Sequence, residues 1–304
     1  MLKGERCMGK KSFWITALVA GGVLAASNYM LDTALKRKPS NDTAFDAGTA
    51  SELDIWFKEK AKRVGRRTLD KKCLSAWFIP NGESHRYAIV CHGYTCCGRS
   101  MRHRAKPFFD MGFNILLPDA RAHGGSSGEM IGMGWPERRD IVDWIYEILK
   151  RDAEAEIILF GESMGAATVM MTAGEVLPQN VKLVIEDCGY TDVMEEMNFM
   201  IRNKYKLPPF PIVPVASVLS HFRAGYTFTR ASAVEQIRRC RIPVLFMHAE
   251  QDNVVPYPMV FKLFAAANCE KEIVTFPGAG HCQCAETDPE LYWGSISKFI
   301  EKYM

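Results

Sequence analysis

Residues 157–168 read Ile157-Ile158-Leu159-Phe160-Gly161-Glu162-Ser163-Met164-Gly165-Ala166-Ala167-Thr168. The first four are large and apolar, as in a strand buried on both faces of a sheet. The next five fit Gly-x-Ser-x-Gly, and the small residues after them suit a helix packed close to its neighbours. Strand, tight turn and helix form the context in which a serine is lifted, strained, above a sheet edge. A side chain at Gly161 or Gly165 would clash with the chain that must approach there. The plainer alternative is a serine that merely caps a helix.

The same rhythm recurs on both sides of this stretch. Strands are expected at Cys73 to Ile79, Tyr87 to Cys91, Phe113 to Leu117, Leu183 to Ile185, Val244 to Met247 and Ile273 to Phe276. Helices are expected near 99–111, 136–150, 164–176, 257–268 and 287–302. This alternation means an α/β fold: a mostly parallel central sheet with helices on both faces. Reactive groups in such sheets gather at the carboxyl ends of the strands.

A serine hydroxyl is a weak nucleophile and needs a base. His281, in Pro277-Gly278-Ala279-Gly280-His281, follows the last strand and is the best placed of seven histidines. His248 closes a strand and reads as core, His85 and His103 read as surface, and His221 lies in an irregular segment. The imidazole in turn needs an acid. Asp252, after the strand at 244–247, is chosen over Glu250 and Asp187. An acyl-transfer site also needs oxyanion donors. The expected ones are the backbone N–H groups of Met164 and of Tyr94, with Gly93 allowing the turn.

Together these residues resemble the α/β-hydrolase family, and within it the membrane-anchored bacterial serine hydrolases of the Bem46-like and serine-aminopeptidase-like branches. The motifs are His92-Gly93-Tyr94, Asp119 through Ser126, Gly161 through Gly165, Asp252 and His281. The order Ser163, Asp252, His281 is that of the family. The resemblance implies a serine hydrolase with no metal or organic cofactor. It leaves esterase, lipase, thioesterase, peptidase and C–C hydrolase chemistries open. Ala122 stands where the family usually has glycine. Arg121 and His123 are expected to brace their loop.

Residues 189–240 break the strand–helix rhythm and read as a cap rich in Met and aromatic side chains, suited to an apolar acyl substrate. The cap shows no acidic cluster of the kind an aminopeptidase would use for a substrate amine. An aminopeptidase and an idle, tethered binding module are the alternatives to an esterase. The ten cysteines show no metal-ligand spacing and read as small buried side chains in a reducing setting. The net charge of +3 points to no nucleic-acid partner.

One segment differs from the rest. Phe13 to Leu31 carry no charge, with Trp14 and Tyr29 near the ends and basic residues on both sides. At ~1.5 Å per helical residue the run is about as long as a bilayer core is thick. It is expected to be one transmembrane helix that holds the protein at the cell membrane. The alternatives are a signal peptide cut near Leu24-Ala25-Ala26-Ser27, with secretion, or a buried core helix. Residues 1–50 are thus expected to be anchor and linker (the linker at 39–51), and 51–304 the α/β domain.

Overall fold

The computed structural model describes residues 5–39 and 51–304, with side chains from Trp14 onward except Ile15. The expected linker at 39–51, apart from its two end residues, and the basic side chains at 3–11 lie outside the described residues.

Eight strands form one sheet: β1 (Lys62–Arg67), β2 (Cys73–Ile79), β3 (Arg86–Cys91), β4 (Asn114–Pro118), β5 (Glu156–Glu162), β6 (Val181–Asp187), β7 (Val244–Ala249) and β8 (Lys271–Phe276). Their order is β1-β2-β4-β3-β5-β6-β7-β8. From β4 to β8 the neighbours are parallel, while β1 and β2 add an antiparallel edge. From β3 the chain goes one way to β4 and then the other way to β5. That reversal opens a crevice at the carboxyl ends of β3 and β5, where such sheets place their ligands.

Helices cover both faces. On one lie α4 (Glu137–Leu149), α5 (Met164–Ala173), α8 (Ala233–Ile237) and α9 (Pro258–Ala266), burying Trp144, Val169, Ile237 and Leu263. On the other lie α3 (Arg102–Asp110) and α10 (Pro289–Tyr303), burying Phe108, Tyr292 and Phe299. The seven strands expected from the sequence all form, with ends moved by up to two residues.

The sequence reading did not assign β1. Its run Lys-Arg-Val-Gly-Arg-Arg has no buried residue, because this is the sheet edge and charge there discourages pairing with another chain. Nor did it assign α2 (Glu52–Lys60), which starts at once with a capping box between Ser51 and Asp54. The expected cap contains α6 (Val193–Lys204) and α7 (Ile212–Ala224), whereas α8 packs against α5 in the body.

The N-terminal helix, α1 (Glu5–Leu35), runs four residues past the apolar stretch. Its two halves differ. From Trp14 to Ala25 the described side chains are exposed, except half-buried Val23. Ser27, Met30, Leu31 and Leu35 are buried, all but Met30 completely. Ser27 donates a hydrogen bond to the Ile212 carbonyl (2.9 Å), and Arg223 of α7 pairs with Asp32 at 2.5 Å. Beyond the helix, Arg37 N–H bonds Glu129 O (2.7 Å), and its guanidinium donates to Gly124 O and Ser126 O, each at 2.8 Å. Packing therefore runs across the expected boundary between anchor and domain.

Candidate active site

Ser163 stands between β5 and α5 with φ 54° and ψ −117°, a left-handed conformation that costs a non-glycine residue energy. The turn is as tight as its glycines suggest. A Cβ on Gly161 would come within 2.2 Å of Gly165 O, and one on Gly165 within 2.2 Å of Cys91 O. Gly93 has more room. A Cβ there would lie 3.4 Å from the Ser163 Cβ, an ordinary van der Waals contact, so the loop after β3 runs directly beside the serine.

His281 Nε2 lies 2.9 Å from Ser163 Oγ, and its Nδ1 lies 2.6 Å from Asp252 Oδ2. Asp252 is fixed in turn, its Oδ1 accepting from the N–H groups of Val254 and Val255 at 2.8 Å each. Its side chain is fully buried, and that of His281 is 17% exposed. Burial disfavours the imidazolium, but the hydrogen bond and charge of Asp252 outweigh it and raise the His281 pKa above 6.5.

The other acids weighed from the sequence lie elsewhere. Asp187 accepts from Tyr292 Oη at 2.8 Å, and Glu250 from Thr275 Oγ1 at 2.8 Å. His248 is fully buried, 3.2 Å from Val255 O. Tyr94 and Met164 both border the cavity that Ser163 faces. Tyr94 does more than its backbone suggested: its hydroxyl donates to Ala34 O and accepts from Lys38 Nζ, both at 2.7 Å, tying this loop to α1.

Two further residues escaped the sequence reading. Arg104 of α3 is buried, with Nε 2.7 Å from Glu162, Nη1 2.9 Å from Glu286 and Nη2 3.2 Å from Cys282 O. It joins the serine turn to the His281 loop. The available signal was Glu162 itself, since a carboxylate in so tight a turn needs a cation. The second is Glu196 of α6, which borders the cavity and whose Oε2 has no hydrogen-bond partner. Burial pushes its carboxyl up to about 8.

The cavity measures about 230 Å³. Met133, Met164, Met197 and Ile201 make much of it apolar, and Ala26, Tyr29, Met30 and Thr33 of α1 complete one side. Beneath His281, Cys188 and Cys284 bring their sulfurs to 3.8 Å. Ligand atoms of Cys188, Asp252 and His281 lie within 4.8 Å of one another. A metal ion there would have to break the bond between His281 and Asp252, so this set does not suit one.

A family model described as serine aminopeptidase, S33, matches residues 82–202. An uncharacterized protein of Mycobacterium tuberculosis is 28% identical over 96% of this chain and 93% of its own. The α/β hydrolase domain-containing protein WAV2 of Arabidopsis thaliana is 24% identical over 82% of this chain and 79% of its own. The Pyrococcus furiosus esterase Pf2001 superposes with a TM-score of 0.66 at 24% identity, covering 88% of this chain and 99% of that one. The strand order, the family model and the relatives agree with the motifs: the chain has the α/β-hydrolase fold and is similar to hydrolases of that family.

Proposed function

We propose that this hydrolase cleaves a carboxylic ester or related acyl bond through Ser163, His281 and Asp252. The observation that carries the reading is the unbroken chain of contacts, 2.9 Å and then 2.6 Å, from Ser163 to Asp252 at an apolar cavity. His281 Nε2 takes the proton of Ser163 Oγ as that oxygen bonds to the acyl carbon. Asp252 holds the ring and stabilises its positive charge. The N–H groups of Tyr94 and Met164 receive the oxyanion. As the acyl–oxygen bond to the leaving group breaks, His281 returns the proton to the departing alcohol. Water then repeats the sequence on the acyl-serine and releases the acid. No step calls for a cofactor.

A fluorophosphonate probe should label the protein, and Ser163→Ala should abolish both labelling and ester turnover. Turnover that survives in Ser163→Ala overturns the assignment, and an unlabelled wild-type serine favours an idle binding module.

Glu196 favours a second reading. A substrate ammonium would ionise this carboxyl and pair with it, which is what an aminopeptidase requires. Aminoacyl amides turned over faster than esters, with that preference lost in Glu196→Gln, would decide for it. We further propose that α1 anchors the protein in the cell membrane as a single span. Half-buried Ala26 borders the cavity at the point where a signal peptide would be cut, which supports retention of the helix over cleavage and secretion.

A further inference from the structure

Lys11 and Asp32 bound a stretch of α1, residues 12–31, that carries no charge. As helix it measures about 30 Å, the thickness of a bilayer core. Residues 12–26 supply only about 22 Å of that. A span must therefore be completed by residues 27–31, and those turns already have the cap against one side. Tyr29 is 69% exposed there, at the depth where aromatic rings favour the interface. Asp32, paired with Arg223, marks the start of the polar side.

The same turns are the side of the cavity. Ala26, Tyr29, Met30 and Thr33 face it, across from Met197 and Ile201. The mouth of the cavity thus lies level with the junction of acyl chains and headgroups. The cap adds apolar surface at this level. Phe210 and Phe222 are each 78% exposed. Phe210 stands two residues before Ile212, which holds Ser27, and Phe222 adjoins Arg223, which holds Asn28 and Asp32. Exposed aromatic rings beside an apolar helix match lipid better than water.

We infer that the substrate is a bilayer-resident amphiphile carrying a long acyl ester, which reaches Ser163 sideways along α1 without leaving the lipid. This rests on the reading of Ser163 as an acyl-transfer nucleophile. A soluble ester can enter from water, but a long acyl chain would have to be carried through water to an apolar cavity. A cavity wall shared with the bilayer removes that barrier.

The test uses the full chain in phosphatidylcholine vesicles, given a palmitoyl ester resident in the same vesicles or p-nitrophenyl acetate in the water. The quantity read is the ratio of the two turnover rates. The paired substitution Phe210→Glu and Phe222→Glu, on the surface, and Thr33→Trp, in the wall, should each lower this ratio at least about tenfold, the effect of losing contact with a few methylenes. A ratio unmoved by both, or acetate cleaved while the palmitoyl ester is not, overturns the inference and leaves Ser163 in its role. If neither ester is cleaved, or both survive Ser163→Ala, the reading of Ser163 falls and this inference with it.

Discussion

Three imidazoles stand in the loops that follow strands at the carboxyl edge of the sheet, and they divide into two regions. His281 hangs over the serine turn. His92 and His123 lie together in the neighbouring loops, their ring centres 4.9 Å apart. All three have Nδ1 beside an oxygen: Asp252, Gly93 O and Arg121 O respectively. Their Nε2 atoms differ. Those of His92 and His123 accept from the backbone N–H groups of Ala120 (3.0 Å) and Thr95 (3.2 Å), whereas that of His281 meets a hydroxyl. Burial pushes His92 down to about 4 and His123 down to about 3, while His281 moves up because its oxygen is a carboxylate. A buried histidine becomes a base when an acid stands behind it and a movable proton in front; with carbonyl and amide instead, it is a brace.

The largest test of that contrast is Asp252→Asn. It keeps the shape, removes the charge, and should lower kcat on the order of 10⁴-fold. Melting by circular dichroism should confirm that the fold persists.

The pH dependence separates the regions next. Only neutral His281 accepts a proton, so kcat/KM should rise with pH through a midpoint above 6.5, and that midpoint should fall in Asp252→Asn. Stability runs the opposite way for this residue. A raised pKa contributes stability present below 6.5 and lost as pH rises through the folded value. His92 and His123 reverse the sign. Their contribution is present above 6.5 and is lost as pH falls toward about 4 and about 3. Each costs about 1.4 kcal/mol per pH unit over that window. Melting temperature should drop steeply between pH 6.5 and 5, and His123→Gln should flatten the drop.

At neutral pH, His123→Ala should cost about 1–3 kcal/mol in denaturant unfolding, because the Thr95 N–H loses its acceptor. The smallest effect belongs to Ala122→Gly beside it. Ala122 has φ 61° and is fully buried. Relief of about 1 kcal/mol of strain is offset by loss of a methyl worth about 0.8 kcal/mol. Its unfolding midpoint should barely move.

The sheet was legible because buried parallel strands are runs of Ile, Leu, Val and Phe, and the serine turn because its geometry admits few residues. β1 escaped because an exposed edge has no apolar pattern. Arg104 and Glu196 escaped because one charged residue in a helix looks like any solvated one, and the partners of Arg104 lie far away in the chain, at Glu162 and Glu286. In α1, uniform apolarity concealed which half faces protein. Ser27 read as a small residue at a cleavage site, yet its hydroxyl bonds the backbone of α7.

The clamp between α1 and the body also bears on the order of assembly. Residues 27–37 leave the ribosome early, but their partners at 124–131 and 212–223 are made some 90 to 190 residues later. The first helix must wait, with Leu31 and Leu35 uncovered, until the cap arrives. A lipid bilayer is a place where an apolar helix can wait without aggregating, whereas in water it would look for other partners.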